Sequence, residues 1–153
     1  ATQGIDGCIR DFAQIEDLGA PHMEGYVQLE GLKGWLALSQ LGRGFRAMVA
    51  LFSLLVGQRD AVVLIDEFES GLHHDAMTSV WQAMYALCLT NDLQVFVTTH
   101  SQDCLRAVHA VLALTPGDLV VYRLQRGQSG KVVPVRIDHE VLGGILGMEL
   151  EVR

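Results

Sequence analysis

Apolar runs of two different periods organise this chain, and Gly-rich breaks separate them. Residues 61–65 (AVVLI) form a short β-branched run without a polar position, which predicts a parallel strand covered on both faces; it stops abruptly at Asp66 and Glu67. Met77, Val80, Trp81, Met84 and Cys88 then recur at helical spacing, so an amphipathic helix is expected over 75–89. Residues 94–98 (QVFVT) read as a second buried strand, ending at Thr99, His100 and Ser101. Beyond it Cys104, Leu105, Val108, Val111 and Leu112 restore the helical period, with Ser101 placed to cap the first turn. Strand, helix and strand in about 35 residues make a βαβ unit. Its right-handed crossover makes the strands parallel and brings Asp66, Glu67 and His100 to one edge of the sheet. In open α/β sheets that edge is where ligands bind.

The flanks carry weaker patterns. Residues 25–32 (GYVQLEGL) alternate enough for a strand, and 45–56 are long and apolar enough for a buried helix after the Gly-punctuated stretch 38–44. Residues 119–124 and 131–137 flank the turn QRGQSG as an antiparallel hairpin, and Pro134, lacking an N–H, belongs on an outer strand. Residues 141–146 suit one last short helix, whereas the first twenty-five residues are the least readable. The expected class is α/β, with parallel strands, flanking helices and a C-terminal antiparallel hairpin.

Composition narrows the functional classes. At 153 residues the chain is expected to be one domain over 1–153, and 50% hydrophobic against 19% charged excludes a disordered chain. Eleven Lys and Arg against eighteen Asp and Glu give a net charge of −7, which argues against a broadly basic nucleic-acid surface and leaves nucleic acid only as a secondary partner. The longest apolar stretch, 47–56, is half of the roughly 20 residues that span a bilayer, so no membrane helix is expected. No signal segment opens the sequence, and Cys8, Cys88 and Cys104, odd in number and far apart, suit reduced thiols. The expected compartment is the cytoplasm.

An apolar strand ending in Asp-Glu, here AVVLIDE, resembles a Walker B segment. Hydrolysing a nucleoside triphosphate needs a carboxylate to hold hydrated Mg²⁺ and a group to orient water in line with the γ-phosphate. Asp66 suits the first task and Glu67 the second. SGLH (70–73) follows at once and VTTHS (97–101) comes one βαβ unit later, an order resembling the D-loop and switch histidine of ABC-type ATPases. Upstream, LSQLGRG (38–44) resembles a divergent ABC signature loop, with Ser39 and the amides around Gly42 and Gly44 opening a helix; such a Gly-rich turn is a ready anion site. Taken together with IDEFESGLHH, QVFVTTHSQDCLRA and the terminal LEVR, these motifs make residues 25–153 resemble the C-terminal half of an ABC-like AAA-family ATPase domain of the overcoming-lysogenisation-defect-related group.

That resemblance implies a partial P-loop NTPase fold, ATP and Mg²⁺ as cofactors, Asp66 holding Mg²⁺ through water, Glu67 activating water and His100 on the γ-phosphate. It also implies Ser39, Gly42, Arg43 and Gly44 reaching a nucleotide held by the opposite subunit of a head-to-head dimer, with His73 on a D-loop that crosses to the partner. Arg43 and Arg46 flank the loop, either to stabilise phosphate charge or merely as solvated cations. Two departures stand out. No G-x-x-x-x-G-K-[ST] occurs in the chain, and Gly130-Lys131 is a decoy because Gln125 and Val132 break the pattern. The P-loop is therefore expected either in the rest of a longer polypeptide or on a partner chain, the resemblance also implies a homodimer, and the rival expectation is a non-catalytic interaction and dimerisation module. Phe68 also stands where many ABC proteins have Pro, and the signature lacks a double Gly.

Other constellations weigh less. His73, His74 and Asp75 invite a metal reading, but adjacent histidines are expected to point apart and no H-x-x-x-H is present. His100, Ser101 and Asp103 are too close in sequence to form a hydrolase triad, and Cys104 belongs to a core stripe. The absence of D-x-D argues against nuclease chemistry. A metallohydrolase using Asp66, Glu67 and His100 as direct ligands would bind metal without nucleotide.

Overall fold

A computed structural model describes residues 9–16, 23–29, 33–127 and 130–148. Cys8, the residues 30–32 that end the expected first strand, the middle of the QRGQSG turn and the terminal LEVR lie outside them. Strands β1 (Ile9–Glu16), β2 (Met23–Leu29) and β3 (Leu36–Ala37) form an antiparallel sheet in that order. A single 3₁₀ turn over Leu38–Gln40 leads to helix α1 (Arg43–Val56), which begins two residues before the expected Phe45 because Gly42 is its N-cap.

The βαβ unit is present. Strand β4 (Val62–Ile65) and strand β5 (Gln94–Val97) pair in parallel, with Val63 beside Val95 and Ile65 beside Val97, and helix α2 (His74–Asn91) crosses between them. The helix stops where Asp92 adopts a left-handed conformation with φ +52°, and its N–H bonds back to the Cys88 carbonyl. Buried Asn91 donates from Nδ2 to the Leu55 carbonyl and ties the end of α2 to that of α1. Helix α3 (Gln102–Val111) follows β5, and the Ser101 hydroxyl accepts the Cys104 N–H at 3.3 Å as its N-cap.

One core gathers Met48 and Leu55 of α1, Met77, Val80 and Met84 of α2, Leu93, and Cys104 and Ala107 of α3, with Phe68 at its edge. Val63, Ile65, Val95 and Val97 face it from the sheet. The opposite face is open: Val62, Leu64 and Phe96 are 62%, 77% and 52% exposed. Among the described residues only one face of the strands is packed on helices, where the apolar run predicted cover on both. Helix α1 is likewise amphipathic rather than buried throughout, since Leu54 and Val56 point outward.

Strands β6 (Val121–Arg126) and β7 (Val132–Ile137) form the antiparallel hairpin, and among the described residues β7 pairs only with β6, which leaves Pro134 on an edge. Helix α4 (His139–Gly147) packs Leu142 and Leu146 against Ile137, Leu105, Leu119 and Val121 in a second, smaller core. The rings of His109 on α3 and His139 on α4 stack 3.9 Å apart, and each Nε2 reaches the other residue's carbonyl oxygen. The fold is mixed α/β.

Candidate functional site

The β4–β5 ladder decides what meets at its carboxyl edge. In register, Ile65 lies beside Val97, so the next residues, Asp66 and Thr98, leave the sheet together. The Thr98 N–H continues the ladder to the Ile65 carbonyl at 2.9 Å, and the Phe68 N–H bonds the Thr98 carbonyl at 3.1 Å. The Thr98 hydroxyl then serves both acidic residues: it donates to Asp66 Oδ1 and accepts the Glu67 N–H at 2.9 Å. That second bond pins Glu67 at φ +48°, a left-handed conformation that a non-glycine residue adopts only where its surroundings impose it.

Asp66, Glu67 and His100 are all exposed at this edge. A carboxylate two residues on, Glu69, connects them: its Oε1 accepts the His100 N–H at 2.8 Å. Burial pushes the Glu69 carboxyl up, but hydrogen bonds from the Thr99 hydroxyl and from the N–H groups of His100 and Glu69 outweigh it and hold the group below its ordinary range. Phe68 is buried with its ring 4.4 Å from that of Trp81, so the turn carrying these carboxylates is anchored in the core.

The second group of predicted residues sits beside this turn. Ser39 lies on the exposed 3₁₀ turn, Gly42 caps α1, and Arg43 and Gly44 begin it; Arg43 and Arg46 are exposed. Gly44 abuts Gly71, which has φ +82°, through bare backbone. The structure thus brings Asp66, Glu67 and His100 to one edge and sets Gly44 against the following turn.

His73 caps α2, its Nδ1 facing the Asp75 N–H at 3.5 Å. Its ring lies 4.2 Å from that of His74, and one donor atom from each of His73, His74 and Asp75 falls within 4.8 Å of the others. The expectation that adjacent histidines point apart is therefore wrong here, because His73 has extended backbone before the helix begins at His74. The positive end of the α2 dipole disfavours a cation at this place. Cys104 is fully buried and Cys88 half-buried; burial raises both thiols and leaves neither suited to nucleophilic work.

Sequence reasoning missed two residues of the site. Thr98 carried no signal beyond ending a strand, and Glu69 none beyond following an acidic pair. Among the described residues no helix is long and apolar enough to cross a membrane.

Residues 11–105 match the family described as "AAA domain, putative AbiEii toxin, Type IV TA system". An "ATP/GTP phosphatase" of Helicobacter pylori (strain ATCC 700392 / 26695) is 28% identical over 89 residues, 56% of this chain. The aligned part is 24% of that relative's length, so this chain spans about a quarter of it. A solved structure described as "Structural biochemistry of ATP-driven dimerization and DNA stimulated activation of SMC ATPases" superposes with a TM-score of 0.65 at 15% identity, covering 90% of this chain and 80% of that one. At that identity the likeness establishes a shared P-loop ATPase-like fold.

Proposed function

The chain belongs to this AAA-domain family of ABC-like ATPases, and from that membership we propose that it is the C-terminal portion of an ATP-hydrolysing site, working as a conformational switch in a dimer. The observation that carries the reading is the Thr98 hydroxyl bridging Asp66 and Glu67, beside a His100 loop tied to the same turn by Glu69. Together these bonds hold the Asp66 carboxylate and the backbones of Glu67 and His100 at one exposed sheet edge.

The residues fit a hydrated Mg²⁺ and a triphosphate. Asp66 is an exposed carboxylate whose orientation Thr98 sets, and it would hold Mg²⁺ through water, the ion supplying charge neutralisation between the β- and γ-phosphates. Glu67, exposed at the same edge, orients and deprotonates the attacking water. His100 donates from its ring to a γ-phosphate oxygen. Ser39, Gly42, Arg43 and Gly44 present the start of α1, with its unpaired N–H groups, to the nucleotide of the opposite subunit.

No P-loop motif occurs in the 153 residues, so the phosphate cradle comes from another segment. The open face of β4 and β5, with Val62, Leu64 and Phe96 exposed, suits a further layer of chain carrying that cradle. The same absence supports a second reading, a dimerisation module that hydrolyses nothing.

Titrating ATP against the chain alone and against the chain joined to a P-loop-bearing segment separates the two. Hydrolysis by the completed assembly is expected, with Glu67→Gln lowering turnover by about 10²-fold or more at nearly unchanged ATP affinity. ATP binding without turnover in the unaltered assembly leaves the module reading standing.

A further inference from the structure

Past Thr98 the loop from β5 to α3 leaves the strand ladder, and side chains take over its backbone. The His100 N–H goes to Glu69 Oε1 at 2.8 Å, and the Thr99 hydroxyl accepts the Ser101 N–H at 3.0 Å. The loop backbone at His100 thus hangs from the Glu69 side chain.

Glu69 is itself firmly seated. The Ser70 N–H bonds the Glu67 carbonyl at 2.8 Å, the Leu72 N–H bonds the Glu69 carbonyl at 3.0 Å, and Phe68 before it is buried against Trp81. Its second oxygen, Oε2, is buried without a hydrogen-bond partner among the described residues, as is the indole Nε1 of Trp81. Placing a carboxylate with one oxygen in such a position is costly, and a neutral side chain would anchor a structural loop more cheaply. Charge-assisted bonds are shorter and roughly twice as strong as neutral ones, which suits a link whose purpose is precision.

We propose that Glu69 is a positioning residue, which fixes the backbone of His100 relative to Asp66 and Glu67 and so couples the turn after β4 to the histidine loop. The inference rests on the ATPase reading above, since it assigns His100 a partner in the reaction. Movement of the turn that begins at Glu67, as would follow a change at a subunit contact through Gly71 or His73, shifts His100 with it.

The test uses the assembly completed by its P-loop segment, with kcat and KM for ATP, together with amide hydrogen exchange of His100 in the chain. Glu69→Ala is expected to lower kcat roughly 10- to 100-fold with KM within about threefold. Glu69→Gln, whose carbonyl oxygen still accepts from the His100 N–H, should recover most of that loss. The His100 amide should exchange at least about tenfold faster in the alanine variant. Should that variant fail to fold, Glu69→Met, of similar length but without an acceptor for the His100 N–H, carries the same expectations. Wild-type kcat in Glu69→Ala, or a glutamine variant no better than alanine, overturns the positioning role, and so does unchanged exchange at His100. By contrast, an unaltered assembly without turnover, or one indifferent to Glu67→Gln, defeats the ATPase reading while the exchange measurement still judges Glu69.

Discussion

Gly44 and Gly71 touch through bare backbone. A β-carbon on Gly44 would lie 1.7 Å from the Gly71 carbonyl oxygen and 2.8 Å from its carbonyl carbon, so neither a side chain nor a small rotation relieves the contact. The first turn of α1 and the turn that follows the acidic pair are therefore packed backbone against backbone.

Gly44→Ala should accordingly destabilise the chain by about 1–3 kcal/mol, the usual consequence of overpacking against unyielding atoms. Gly57 is the control, for its φ of −87° is ordinary and nothing lies within 4 Å of a β-carbon there. Gly57→Ala should be neutral or stabilising by up to about 1 kcal/mol. Urea midpoints of the two variants decide the matter, and equal midpoints would contradict the contact.

Thr98→Val removes the hydroxyl that serves Asp66 and Glu67 without changing side-chain shape. Two exposed bonds are lost, which is expected to lower stability by about 1–2 kcal/mol. In the completed assembly turnover should fall further than stability accounts for, because Glu67 is released from its left-handed conformation. Thr98→Ser, keeping the hydroxyl, should retain most of both quantities.

Tyr85 fixes the alkaline limb of stability. Its hydroxyl donates to Asp118 Oδ2 at 2.6 Å and meets Thr115 Oγ1 at 2.9 Å, and the bond to Asp118 above all raises its pKa above the ordinary tyrosine value. Because the folded value lies above the unfolded one, this contribution is complete below about pH 10 and disappears as pH rises through the folded pKa. Tyr85→Phe should thus differ from the unaltered chain in melting temperature at pH 8 and converge on it at more alkaline pH. A difference that persists or widens there would reverse the assignment.

Leu64 is the most exposed residue of the open sheet face. Leu64→Asp is expected to change the stability of the chain by no more than about 0.5 kcal/mol, as at any surface position. Binding of a P-loop-bearing segment, followed by titration calorimetry, should weaken at least tenfold if that segment packs on this face, since a charge would be buried without a partner. Undiminished binding would move the contact elsewhere.

Much of the fold was legible because it depends on local periodicity. The β-branched run at 62–65, the helical recurrence of Met77, Val80 and Met84, and the serine before α3 each state their conformation within a few residues. The strand-helix-strand order then fixed a parallel pair by the handedness of its crossover, and so brought Asp66, Glu67 and His100 to one edge.

What the sequence determined by itself, then, is that Asp66, Glu67 and His100 arrive at one sheet edge. How they are held there was decided by tertiary structure alone. An apolar run does not say how many of its faces find partners, so the openness at Leu64 and Phe96 appeared only with the neighbouring elements in place. Thr98 and Glu69 look like any threonine and glutamate in a string of letters. They matter because the ladder sets β5 beside β4, and hydrogen bonds between residues about thirty positions apart form only after the chain between them has folded.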